Sequence, residues 1–301
     1  MKGYGELAQK LWEELRGIPD VNISLLIGLW TNPSYIKSYV QGKSRLKLWK
    51  DLTNQSKIPS TYDEFINTLK SMKLPGYKLI VEAYRTKTRL IVGSGITGWE
   101  VPLVSLLEPF GVPWVPGSSL KGAMETTALN QLEEKLERGE ASIGELVAKP
   151  SLLACKESSK ESEGYCLWKY RELKLDQMKG DLKKIGILFG TKEFRGSMVV
   201  LGGFLEKAPK EGFLTIDVIT PHYKRYYEGE EEWPHEHLDP VPLTFPAVRE
   251  GTTFSFPLFI KEELDKSYEE YAKEVLHITL TRTGVGGKTS AGYGVFDRMQ
   301  S

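Results

Sequence analysis

Near its C-terminal end the chain reads Arg282-Thr283-Gly284-Val285-Gly286-Gly287-Lys288-Thr289-Ser290-Ala291-Gly292-Tyr293-Gly294-Val295-Phe296, with five glycines among eleven residues. Glycine admits positive φ and lets another backbone come close. Successive N–H groups in such a turn make an anion-binding nest, and phosphate is the ligand that chemistry fits. A plain glycine-rich turn into a last strand, without ligand, explains the stretch equally well. A second candidate lies far upstream, Pro116-Gly117-Ser118-Ser119-Leu120-Lys121-Gly122. Ser118 is predicted to cap a helix whose first turn carries no acid, leaving N–H groups and the positive dipole end open to an anion. An ordinary serine cap is the simpler account of it.

Other chemistry is weighed and set lower. Gly287-Lys288-Thr289 mimics the end of a P-loop, but the first glycine of that pattern falls on Arg282 and no helix follows the lysine. The histidines are His222, His235, His237 and His277. His235 and His237 stand in a Pro- and Glu-rich surface loop with no other ligand at metal spacing. His222, beside Tyr223 and Lys224, titrates in the range of a general acid or base, yet reads more readily as a structural hydrogen-bonder. Cys155 and Cys166 are too few for a zinc ribbon and give no disulfide framework. No metal, cofactor or catalytic residue is expected.

The elements that must position these stretches change character along the chain. Residues 1–75 read as a helical extension, with Leu7, Leu11 and Leu15 on one face. Lys43, Arg45, Lys47 and Lys50 form a basic face, and Thr61 to Glu64 has the pattern of a capping box before a helix reaching about Met72. From Tyr77 the pattern turns to strands, with Arg85, Lys87 and Arg89 on one side. A helix over 118–138 buries Leu120, Met124, Ala128, Leu132 and Leu136. Residues 156–164 lack apolar side chains and are predicted mobile, and 167–188 is predicted helical with a break near Gly180. Strands at 197–205 and 213–220 are expected to pair as a hairpin. Tyr223 to Tyr227 interleaves aromatics with Lys224 and Arg225, which suits base stacking. Strands at 243–248 and 252–260 and a helix over 262–280 precede the glycine-rich loop. The order after residue 76 predicts an α+β chain with a ferredoxin-like βαββαβ core, residues 76–301, carrying insertions at about 149–190 and 228–242.

With 301 residues, 40% hydrophobic and 27% charged, the composition is that of a globular protein. No apolar run approaches the ~20 residues that span a bilayer, and a cytoplasmic location is expected. Forty basic and forty acidic residues cancel, which argues against tight binding of naked nucleic acid by the chain alone.

The pairing of VPGSSLKG with GVGGKTSAGYGVF resembles the RAMP proteins of CRISPR–Cas systems, whose C-terminal glycine-rich loop is their signature. Within them, Arg89 to Gly95, Gly111 to Gly122, Asp217 to Tyr223, Pro240 to Pro242 and the final loop are similar, in order, to the Cmr6 family of type III-B effector subunits. That resemblance covers about residues 85–300. It implies a non-catalytic structural subunit that contacts crRNA and target RNA beside other Cmr subunits, near the crRNA 3′ end, in antiviral defence. Target cleavage in such assemblies belongs to another backbone subunit with a catalytic Asp, and no Asp here matches it. The resemblance assigns RNA contacts to Ser118, Ser119, Lys121, Gly284, Gly286, Gly287, Lys288, Thr289 and Ser290. Further candidate RNA or subunit contacts are Arg89, His222, Tyr223 and Arg282. The alternative within the RAMP-related proteins is a metal-independent Cas6-type endoribonuclease using His222.

Overall fold

The computed structural model describes residues 50, 52–54, 56–93, 104–155, 165–220, 226, 229, 232–233 and 242–299. Its helices are α1 (Tyr62–Ser71), α2 (Gly117–Glu137), α3 (Ile143–Leu146), α4 (Gly180–Phe189) and α5 (Lys266–Ile278). Its strands are β1 (Tyr77–Thr86), β2 (Leu106–Leu107), β3 (Val112–Pro116), β4 (Met198–Val200), β5 (Gly202–Lys207), β6 (Leu214–Ile219), β7 (Leu243–Val248), β8 (Thr253–Lys261) and β9 (Phe296–Arg298). Helix and sheet are mixed, as the sequence pattern indicates.

β8, Thr-Phe-Ser-Phe-Pro-Leu-Phe-Ile-Lys, is buried along all but its last residue. Near-continuous apolar or β-branched side chains are what a strand covered on both faces requires. β1 pairs with it antiparallel from Tyr77↔Lys261 to Arg85↔Thr253. β5 and β4 take its other edge, and the path of the sheet runs β2-β3-β5-β8-β1-β9.

Strand periodicity sends Phe254 and Phe256 to one face and Ser255 to the other. On the first face Phe256 stacks edge-on with Phe296 at 5.5 Å and with Tyr84 at 5.9 Å. The Tyr84 hydroxyl lies 3.3 Å from His277 Nδ1 of α5, and α2 packs against α4 and α5 on this side. Each such buried ring contributes about 1.5–3 kcal/mol. On the second face, Ser255 Oγ donates to Glu206, which also meets Lys70 Nζ of α1 at 2.7 Å. Phe65 of α1 lies 5.9 Å from Phe204. Layers of helix therefore stand on both sides of the sheet.

Several expectations change. The strands at 197–205 and 213–220 are not hairpin partners, because both edges of β5 are occupied, by β3 and by β8. β6 pairs instead with β7, Leu214↔Val248 to Ile219↔Leu243, in a separate two-stranded sheet. Thr61 makes no capping bond. The Pro59 and Ser60 carbonyls already accept from the Tyr62 and Asp63 N–H groups, at 3.0 and 3.4 Å, so the hydroxyl is not needed. α2 begins one residue earlier than expected, at Gly117. Pro116 is still paired to Gly202 in the sheet, and a Cβ on Gly117 would lie 2.2 Å from the Val200 carbonyl. Ser118 is thus inside the first turn and not its cap. The segment expected as helix from 167 opens as 3-10 turns at Leu167–Glu172 and Leu175–Gln177 before α4. Cys155 and Cys166, expected to form no disulfide framework, are joined in one disulfide with Cα atoms 5.4 Å apart. The Ala154↔Tyr165 bridge brings the two ends together, a proximity that spacing alone does not reveal. The predicted mobile segment 156–164 lies outside the described residues.

Candidate nucleic-acid interface

The glycine-rich loop leaves α5 through a π-helical turn, Thr279–Thr283. The Gly284 N–H donates to the Thr279 carbonyl at 2.7 Å. Gly284, Gly286, Gly292 and Gly294 all have positive φ. At two of them the reason is close approach of the chain to itself. A Cβ on Gly286 would stand 2.2 Å from the Ile91 carbonyl oxygen, and one on Gly294 would stand 2.0 Å from that of Val285. Val285 and Gly294 are tied by a 3.0 Å N–H to carbonyl bond, Gly287 donates to Ile91 at 2.7 Å, and Gly294 donates to Arg89 at 2.8 Å. These glycines lock the loop against residues 89–91.

What remains for a ligand is the loop's apex. Lys288 is the one non-glycine residue with positive φ among the described residues, at 59°. It turns the chain into a short 3-10 turn, Thr289–Ala291, whose Ala291 N–H returns to the Lys288 carbonyl at 2.9 Å. The N–H groups of Lys288, Thr289 and Ser290 have no partner among the described residues. Lys288 and Ser290 are exposed, as is Arg282. Three consecutive free N–H groups beside an ammonium are an anion-binding arrangement. The last strand, expected to follow the glycine-rich turn, begins only at Phe296 and runs to Arg298, since the preceding residues are spent on this turn.

Arg89 serves the scaffold. Its guanidinium meets Asp217 at 2.7 Å and Glu250 at 3.1 Å. The Tyr293 hydroxyl donates to the other Asp217 oxygen at 2.7 Å. Burial pushes the Asp217 carboxyl up, but the bonds from Tyr293, Arg89 and the Val218 N–H outweigh it and hold the group below the ordinary range. Burial, together with the bond to Asp217, pushes the Tyr293 phenol up to about 12. Three separate stretches that the sequence singles out thus meet in one hydrogen-bonded cluster beneath the loop.

At the start of α2, Ser118 and Ser119 are exposed and Lys121 is half-buried. Lys121 lines a cavity of about 240 Å³ with Gly117, Ser118 and Arg195. Burial lowers the Lys121 pKa, and nearby Arg171 and Arg195 lower it further against the pull of Glu125. Neither Lys121 nor Arg195 has an ion-pair partner among the described residues. Arg195 was missed at the sequence level, because it stands alone between α4 and β4 with no periodicity to mark it. The structure does not merge this cavity with the glycine-rich loop, none of whose residues line it. The two are linked through α2, where the hydroxyls of Thr127 and Thr283 lie 3.0 Å apart. His222, Tyr223, Lys224, His235 and His237 lie outside the described residues. Among the described residues no three His, Cys, Asp or Glu side chains gather to hold a metal, and no helix is long and apolar enough to cross a membrane.

This combination of a sheet layered with helices and a glycine-rich loop locked after the last helix has a family. The model of the RAMP superfamily matches residues 83–297, and the chain belongs to that superfamily. It is similar to the CRISPR system Cmr subunit Cmr6 of Pyrococcus furiosus, with 26% identity over 250 residues, 77% of this chain and 70% of the relative. Its fold also resembles a chain in the cryo-EM structure of the type III-B Cmr-beta bound to cognate target RNA. That match has a TM-score of 0.55 and 18% identity, and covers 90% of this chain and 81% of the other. The crystal structure of Cmr6 from Pyrococcus furiosus overlaps 76% of this chain and all of its own, at 22% identity and a TM-score of 0.44.

Proposed function

We propose that this chain is a non-catalytic, RNA-contacting structural subunit of a type III-B CRISPR effector, near the crRNA 3′ end of the backbone, in antiviral defence. Its partners are crRNA, target RNA and other Cmr subunits. The observation that carries the reading is the run of free N–H groups at Lys288, Thr289 and Ser290 on a loop rigidly locked to the sheet. Such a nest suits the phosphates of a nucleic-acid backbone, which position a protein without specifying bases. Family membership and the similarity to Cmr6 support the assembly. Zero net charge supports a groove completed by a neighbouring subunit, since one chain alone then binds RNA feebly.

The strand order β5-β8-β1-β9 supports a ferredoxin-like core, with α2 and α5 as its two crossovers. On this reading 76–301 is the RAMP domain, and 1–75 is an added helical extension.

The test is a salt titration of RNA binding by the isolated chain and by the assembly, each as wild type and Lys288→Ala. The variant assembly is expected to bind all RNA sequences more weakly, with the slope of log affinity against log salt flattened by about 0.7. An unchanged slope removes the loop from the RNA site. Tight, salt-resistant binding by the isolated wild type removes the shared groove.

A further inference from the structure

The 3-10 turn Leu167–Glu172 lies within the insertion between α3 and α4. In a 3-10 helix residues three apart share a face. Leu167, Tyr170 and Leu173 are accordingly buried, and Trp168 and Arg171 share the outer face. Trp168 is 61% exposed, among the largest apolar exposures of the described residues. It is not held loosely. Arg171 makes a two-pronged bond to Glu125 of α2, at 2.8 and 2.5 Å, and the buried Tyr170 hydroxyl donates to the same carboxylate. The turn that carries Trp168 is therefore fastened to α2.

Trp168 lines an open cavity of about 480 Å³ with Glu125, Phe189 and Lys192. Its charges are matched, Arg171 with Glu125 and Lys192 with Glu172. The adjoining cavity begins one helical turn away, about 5.4 Å, at Lys121, where Arg195 also stands and no carboxylate pairs with either cation among the described residues. The two cavities share no lining residue but are neighbours through the Gly190↔Arg195 bridge. The first offers a flat ring among paired charges, and the second two cations, with the nearby Glu125 carboxylate already bound by Arg171.

We propose that these two neighbouring cavities hold a single-stranded RNA, a base against the Trp168 indole and a backbone phosphate between Lys121 and Arg195. Base–aromatic stacking is sequence-tolerant because every base has a π-face. Burial among cations destabilises the charged form of Lys121, which a phosphate would restore. The site rests on the RNA-binding reading and extends it from Lys121 at the start of α2 to Arg195 and to Trp168 on the insertion turn, none of them in the glycine-rich loop.

The test uses the full-length chain at low ionic strength with oligouridylate, oligoadenylate and an abasic ribose-phosphate oligomer of equal length. Trp168→Ala is expected to weaken both base-bearing oligomers about 5- to 150-fold, and to leave the abasic one unaffected. Trp168→Phe restores most of the loss. Arg195→Gln weakens all three alike and flattens the salt slope by about 0.7. If Lys288→Ala weakens binding but Trp168→Ala does not, the RNA reading stands and this site falls. The site also falls if Trp168→Ala spares RNA but abolishes assembly with a protein subunit, because the indole is then a protein contact. Wild type that binds none of the oligomers even at low ionic strength overturns this site, while the RNA reading itself is decided by the titration of the assembly.

Discussion

The loop's glycines differ in kind, and alanine substitution separates them. At Gly286 a new Cβ meets the Ile91 carbonyl oxygen at 2.2 Å, with φ at +93°. Left-handed backbone costs a non-glycine residue about 1–2 kcal/mol. Relieving the clash requires a backbone shift, with about 1–3 kcal/mol of packing strain. That shift also strains the 2.7 Å bond from the Gly287 N–H to the same carbonyl, which is worth about 1 kcal/mol. The sum is roughly 3–6 kcal/mol, a large share of the ~5–15 kcal/mol that holds a domain folded. Gly292, at φ +87°, has no atom within 4 Å of its would-be Cβ, so alanine there bears only the backbone term of about 1–2 kcal/mol. Urea denaturation of both variants measures the difference as a shift in midpoint at constant slope. Equal midpoints for Gly286→Ala and Gly292→Ala refute the account of why these glycines are glycine.

Two further outcomes follow from the site. The Asp217 carboxyl is held below its ordinary 3.8, so its stabilisation is complete above about pH 4 and is lost as pH falls through the lower folded value. Asp217→Asn is expected to be less stable at neutral pH and to decline less steeply in acid; an acid limb identical to wild type contradicts the cluster with Arg89 and Tyr293. Repeat-containing RNA is expected to survive incubation with the chain, in Mg²⁺ or in EDTA. Cleavage that disappears in His222→Ala establishes the Cas6-type endoribonuclease instead.

Strong periodicity made some of this architecture legible in advance. Leu120, Met124, Ala128, Leu132 and Leu136 announce the buried stripe of α2; the first four are buried, and Leu136, in the last turn, is half-buried. The alternation in β1 and the apolar run of β8 mark strands for the same reason. Pairing was less visible, because it depends on which edges remain free, and the edges of β5 are filled by segments before and after it in sequence. The loop's shape was foreseen from its glycines, but its reason was only half foreseen. Gly286 and Gly294 are demanded by the chain's own carbonyls, while the free N–H groups sit at Lys288 to Ser290. Arg89 illustrates a different blind spot. Its carboxylate partners, Asp217 and Glu250, are more than a hundred residues away, so nothing local shows that its charge is already matched. Trp168 and Arg195 carry no local signature, since a 3-10 face and a lone arginine repeat too briefly to form a pattern.

Helical layers on both sides of β8 leave the sheet no open tray on which bases could be laid. Phe254, Phe256 and Phe296 are wholly buried and serve only to hold the layers together. On the proposed reading, recognition falls to the rim, to side chains such as Lys288, Arg195 and Trp168 that stand on exposed turns whose backbones are pinned elsewhere. Removing any of these side chains leaves a smooth surface and an undisturbed interior. In this architecture, variants that unbind and variants that unfold are distinct sets, and a deep substitution scan sorted by solubility and by RNA retention will fall into two groups along that boundary.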